Sequence, residues 1–357
     1  PAGRDRRIGY GLERVMQSLR AAGRPADTRE ESDLPADYRR LEGAKIYAGV
    51  RGESALLGRL EEQEVLAYDG PVPQGEGFYI AALPGGLTVV AGGSPSGALY
   101  GCLELARRIR EGGAEEIAFG DAPVFRLRGM AVGLQKTKIE PPRQTYEYPI
   151  TEERFPWFYD RGLWTRLLDR LAEQRANVLY IWSGHPFSSL VKLADYPEAL
   201  EVDEEQFRRN AETFLWLTTE AGRRSIWVVM KFYNIHIPLP FARRHGLELH
   251  QTRPTPLTSD YTRKSIAEFV RSYPNVGLMV CLGEALRGRH EGRRPYRGAA
   301  GDSACARHRP LRGAPAGQGR VFAYLYHVEV QRRKPDDMAA ARRVAADPSP
   351  AQPAAFH

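Results

Sequence analysis

Apolar residues fall at helical spacing in residues 9–22. Leu12, Val15, Met16 and Leu19 occupy i, i+3, i+4 and i+7, and Gly23 supplies a stop. Residues 24–43 are polar and read as loop. Lys45 to Val50 is a short strand, followed by a weak helix from Glu53 to Glu62. Phe78 to Leu83 and Leu87 to Ala91 form a hairpin around Pro84-Gly85-Gly86. Gly92-Gly93-Ser94-Pro95-Ser96-Gly97 then opens a helix, with Ser94 as N-cap and Pro95 in the first turn. Leu99, Cys102, Leu103, Ala106 and Ile109 make its buried stripe.

The Gly92 to Gly97 spacing is that of a phosphate loop, but Ala98-Leu99 follows where Lys and Ser or Thr would be needed. A tight strand-to-helix turn is the expected role. Residues 1–120 therefore read as a small α/β sandwich domain, closed by Gly120-Asp121-Ala122-Pro123.

Past that boundary the rhythm becomes strand and helix in alternation. Strands are expected at Phe125 to Leu134, Asn177 to Trp182, Ser225 to Phe232 and Val276 to Leu282. Helices are expected at Leu163 to Glu173, Glu204 to Ala221 and Tyr261 to Tyr273. This order predicts a parallel sheet, and the long segments after the strands suit a (β/α)8 barrel with functional loops at that end. Only four of eight strands are visible, in residues 121–286. Residues 287–357 are rich in Arg, Ala, Gly and Pro, and read as a disordered tail that cannot bury a core. Because the texture breaks in mid-fold, a truncated or frameshifted product is expected rather than a natural nucleic-acid-binding tail.

Charge supports that division. The net charge of +7 is concentrated after residue 286, where 14 Lys and Arg face 6 Asp and Glu; residues 1–286 hold 37 against 38. The folded part carries no basic signature of a nucleic-acid partner. No apolar run is long enough to span a membrane. Cys102, Cys281 and Cys305 match no disulfide or metal spacing. No signal peptide is visible and the chain opens on Pro1. The cytoplasm is the favoured compartment.

Chemistry points to the strand ends. The apolar run from Val276 to Leu282 stops at Gly283-Glu284. A carboxylic acid at a buried strand end can be held protonated by desolvation, which suits proton donation to a leaving oxygen. A helix N-terminal Glu stabilised by the dipole is the structural alternative. Trp182 and His185 end the second barrel strand, and Asn234 and His236 the third. Trp can stack on a sugar face, and His and Asn can bond hydroxyls; core packing and loop capping are the alternatives. Gln135 is a weaker candidate. His185, His236 and Glu284 would make a three-ligand metal set, but nothing in their spacing selects it. No metal and no cofactor are expected.

The segments Gly77-Phe78-Tyr79-Ile80-Ala81-Ala82-Leu83, Leu87 to Gly92 and Gly93-Ser94-Pro95-Ser96-Gly97-Ala98-Leu99-Tyr100-Gly101 with the following helix resemble the N-terminal domain of several glycoside hydrolases. These include the family 20 hexosaminidases and the family 67 α-glucuronidases. Asp121 to Met130 resembles the hand-over to their barrel. The resemblance implies an oligosaccharide substrate, with a uronate-containing one in view, and Glu284 as general acid after the fourth strand. Gly283-Glu284 departs from the Asp-Glu pair of the hexosaminidases and is closer to the α-glucuronidase arrangement. A second carboxylate is not found; Asp302 and Glu329 lie in the tail without context. Half a barrel leaves open sheet edges, so this chain is expected to be unstable or inactive. A non-catalytic carbohydrate-binding relic is the competing expectation. The sequence does not give an oligomeric state.

Overall fold

The computed structural model describes residues 5–281, apart from residues 25, 28, 30–36, 41–42, 114–116, 144–147 and 234–235. The expected tail lies outside the described residues. Within them are two four-stranded sheets.

The first sheet is built from β1 (Lys45–Val50), β2 (Phe78–Leu83), β3 (Leu87–Gly92) and β4 (Ala118–Asp121). Its order is β1-β3-β2-β4, with β1 parallel to β3 and the other pairs antiparallel. The hairpin was legible from its turn. β4 was not: its residues sit in the stretch read as a domain boundary, and they are mostly exposed, so no hydrophobic pattern marks them.

Helices α1 (Arg6–Ala21) and α3 (Pro95–Glu111) cover one face of this sheet, and α2 (Ala55–Glu62) covers the other. Alternation along the strands produces this. Ile80 and Val90 enter the core with α1 and α3, whereas Tyr79, Ala81 and Val89 meet Leu56, Leu57 and Leu60 of α2. Ser94 caps α3 as expected, accepting from the Gly97 amide at 3.2 Å. A Cβ at Gly92 would lie 2.1 Å from the Ala98 nitrogen, and one at Gly97 2.2 Å from the Gly77 oxygen. These glycines let backbone pass against backbone, which explains the phosphate-loop spacing without a phosphate.

The second sheet contains β5 (Gly129–Gly133), β6 (Val178–Trp182), β7 (Trp227–Tyr233) and β8 (Val276–Cys281), all parallel and in chain order. The crossovers carry α4 (Arg161–Glu173), α5 (Phe187–Leu190), α6 (Glu204–Arg223), α7 (Leu239–His245) and α8 (Pro256–Ser272). Among the described residues this is three β/α units and a fourth strand of a partial barrel.

β5 begins four residues later than expected. Phe125 is 74% exposed, and Arg128 instead anchors the turn, donating to the Arg175 oxygen at 2.7 Å and to Glu76 at 2.7 Å. α8 starts at Pro256 rather than Tyr261, because Thr255 and Thr258 form a reciprocal cap there. The short helices α5 and α7 were not expected; pieces of four and seven residues carry too little periodicity.

One apolar cluster runs from Ile80 and Val90 through Leu99 and Leu103 into Trp164, Leu168 and Phe214. Glu104 of α3, its side chain 8% exposed, adds a polar tie. It accepts from Arg107 and Arg108 at 2.8 Å and meets Arg175, beyond α4, at 3.5 Å. The Arg107 hydrogen bond, aided by Arg108 and opposed by burial, holds this carboxyl down at about 2. The folded value lies below the unfolded one. The stabilisation is therefore complete above the ordinary carboxylate range and lost as pH falls toward 2. Glu104→Gln should remove about 2 kcal/mol at neutral pH and flatten the acid limb of a stability-versus-pH curve. Urea unfolding from pH 7 down to 2 checks both.

Candidate active site

The C-terminal ends of β5 to β8 share one rim. Strand alternation decides what faces inward. Leu179, Ile181, Val228, Met230, Phe232, Val276 and Leu278 belong to the core under the helices. Their neighbours Tyr180, Trp182, Val229, Lys231, Tyr233, Met279 and Cys281 therefore face the barrel interior.

The parallel register arranges these in layers. Gly133 pairs with Trp182, Trp182 with Lys231, and Lys231 with Met279. Tyr233 and Cys281 pair in the next layer outward. The Lys231 ammonium sits 3.4 Å from the centre of the Trp182 ring, a close cation–π contact. The Trp182 and Tyr233 rings are 6.1 Å apart. Beside Trp182, Gly133 leaves space: a Cβ there would meet nothing nearer than Gln135 Oε1, at 3.6 Å. Gln135 Oε1 thus lies beside Gly133.

Ring contacts continue outward from Tyr233. His236 lies 4.9 Å from it, and His250 lies 4.7 Å from His236. The two imidazoles meet Nε2 to Nε2 at 3.1 Å, where one must be a neutral acceptor. His185 sits against Tyr261, its Nε2 2.7 Å from the phenol oxygen and the rings stacked at 5.7 Å. Burial first, then the charges of His236 and Arg143, pushes His185 down to about 3. The direction favours the neutral imidazole, a hydrogen-bonding group beside Tyr261. Its Nδ1 and the Trp182 Nε1 are buried without a hydrogen-bond partner among the described residues. Buried polar atoms left this way ask for a hydroxyl or a water.

The structure thus brings together Gln135, Trp182, His185 and His236. Asn234 and Glu284 lie outside the described residues; β8 is described to Cys281, three residues short of Glu284. Among the described residues, no three His, Cys, Asp or Glu side chains converge as a metal set.

Sequence reasoning missed Lys231 and Tyr233. The expected strand stopped at Phe232, whose face is the core one; β7 runs on to Tyr233, and counting back in twos from there places both on the inner face. It also missed Arg143 and Glu201. Glu201, its side chain 6% exposed, accepts from Arg143 at 2.8 Å and from the Leu239 amide at 3.1 Å. These residues come from the segments after β5, β6 and β7, far apart in sequence and without a motif. A groove of about 830 Å³, lined by residues including Leu190, Ala211, Leu215 and Tyr273, takes none of the inward residues and is not part of this site.

With an N-terminal sheet feeding four parallel barrel strands, the chain has a glycoside-hydrolase-like fold. Among solved structures it is similar to a GH138 enzyme targeting pectin rhamnogalacturonan II, at 42% identity and a TM-score of 0.67, over 80% of this chain and 38% of that one. A family GH115 4-O-methyl-α-glucuronidase with specificity for decorated arabinogalactans matches at 15% identity and a TM-score of 0.46, over 85% of this chain and 37% of that one. A Flavobacterium johnsoniae chitobiase of family GH20 matches at 13% and 0.47, over 78% and 40%. The chain therefore spans 40% or less of the length of each. No protein-family model and no curated protein matches it.

Proposed function

We propose that this chain is the substrate-binding N-terminal portion of a glycoside hydrolase acting on a pectin-like, uronate-containing oligosaccharide. Residues 1–120 would serve as the accessory α/β domain and 121–286 as the first half of the catalytic barrel. The observation that carries the reading is the 42% identity, over 80% of this chain, to an enzyme that targets pectin. The rim chemistry supports it. Trp182 offers an aromatic face for a sugar ring, and Gln135, His185 and His236 offer hydrogen-bonding groups around it. Glu284, three residues past β8 in sequence, is assigned the role of general acid, and Asn234 that of a substrate-binding group.

Glycoside cleavage needs two carboxylates. The partner of Glu284 is assigned to the remainder of the barrel.

The test is turnover of aryl glycosides and aryl uronides by the full chain and by Glu284→Gln. Turnover of a uronide that vanishes in the variant supports the hydrolase. Zero turnover in both is what a half barrel without the second carboxylate gives; uronide binding that Glu284→Gln alters then supports the hydrolase, and sugar binding that the substitution leaves unchanged supports a carbohydrate-binding relic instead.

A further inference from the structure

We propose that Lys231 is the residue that makes this site select an acidic sugar over a neutral one; the inference rests on the sugar-binding role given to Trp182. Lys231 occupies an inward position on β7, with Trp182 on one side and Met279 on the other. Its ammonium lies 3.4 Å from the Trp182 ring centre. Among the described residues no carboxylate stands within ion-pair distance of it, whereas Lys264, another half-buried lysine, is bonded to both Asp195 and Asp260. A half-buried ammonium held by an aromatic face alone is an incomplete arrangement, because the ring satisfies one side of the ion and leaves its other protons for an acceptor.

The same layer has room for that acceptor. Gly133 places no side chain next to Trp182, and the nearest atom to its missing Cβ is Gln135 Oε1 at 3.6 Å. A sugar ring entering over Gly133 meets the indole. Trp182 lies between Gly133 and Lys231 in the layer, so the sugar's ring-borne anionic group reaches the ammonium past the edge of the indole, and its hydroxyls meet Gln135 and the Trp182 Nε1, which has no partner among the described residues. A carboxylate on C6 of a hexose is the acidic group that such a pocket receives without enlarging the ring. A neutral hexose keeps the stacking but leaves the ammonium without its acceptor. Lys231 is thus a specificity-determining residue and plays no part in bond cleavage.

The experiment is titration calorimetry of the full chain with D-galacturonate and with D-galactose, at low and at raised salt. Wild type should bind the acid at least about tenfold tighter than the neutral sugar, with the preference shrinking as salt screens the pair. Lys231→Met, of similar length and apolar, should erase the preference while leaving the weak galactose binding in place. Lys231→Arg should keep it. Trp182→Ala should weaken both sugars together. A preference unchanged in Lys231→Met, or absent in folded wild type that still binds galactose, overturns the assignment of Lys231 alone. Binding of neither sugar by folded wild type overturns the sugar site itself, and Lys231 with it. Far-ultraviolet circular dichroism on each variant separates a lost preference from a lost fold.

Discussion

Gly129→Ala is expected to cost about 3 kcal/mol or more and to lower the thermal midpoint by roughly 10 °C. A Cβ at this position would lie 1.8 Å from the Val178 oxygen and 2.7 Å from the Val178 carbon. Both atoms belong to backbone, so no rotamer change relieves the contact; the two strands must part. They are pinned where they would have to move. The Asn177 side chain accepts from the Arg128 amide at 2.9 Å and donates to the Arg126 oxygen at 2.8 Å. The Val178 amide donates to the Arg128 oxygen at 3.0 Å, and Arg128 is further tied to Glu76, just before β2. Gly133, four residues on in the same strand, is the control. Its Cβ would meet no protein atom closer than 3.6 Å, so Gly133→Ala should stay within about 0.5 kcal/mol of wild type. Guanidinium unfolding of the pair decides it; equal midpoints would show that the strands separate freely at Gly129.

Glu201→Ala should destabilise the chain by about 2–4 kcal/mol, out of proportion to one surface-loop carboxylate. Glu201 joins three of the crossovers. It accepts from Arg143 of the segment after β5 and from the Leu239 amide that begins α7 after β7, while lying itself in the segment after β6. Its own amide donates to the Ser188 oxygen at 2.9 Å. Removing the carboxylate takes the anionic partner from a mostly buried guanidinium and an acceptor from a helix terminus at once. Glu201→Gln retains an acceptor but not the charge, and should fall between the two. Hydrogen exchange should place the loss at α7 and at the loops flanking the rim, with the first sheet unaffected. A uniform loss of protection throughout the chain would contradict a local clasp.

How much of this could be read beforehand follows from the range of the interactions. The α3 start was legible because Ser94, Pro95 and Gly97 act within one turn. The parallel barrel sheet was legible because each strand is an apolar run separated by an amphipathic helix. Trp182, His185, Gln135 and His236 were legible as strand-end residues, though not how they meet. The thresholds of β5 and α8 were misplaced: Phe125 is apolar but exposed, and the Thr255 cap overrides the weaker periodicity before Tyr261.

By itself, the order of residues determined local things here: caps, turns, strand-helix alternation, and which side chains share a strand face. Only the tertiary structure decided that Lys231 lies over Trp182, that His185 stacks against Tyr261 with its pKa pushed down, and that Glu201 clasps Arg143 across 58 positions. The reason is physical. Caps and faces depend on backbone geometry within a few residues. The charge state of an imidazole or the partner of a guanidinium depends on what packing brings alongside it and on how much water that packing removes.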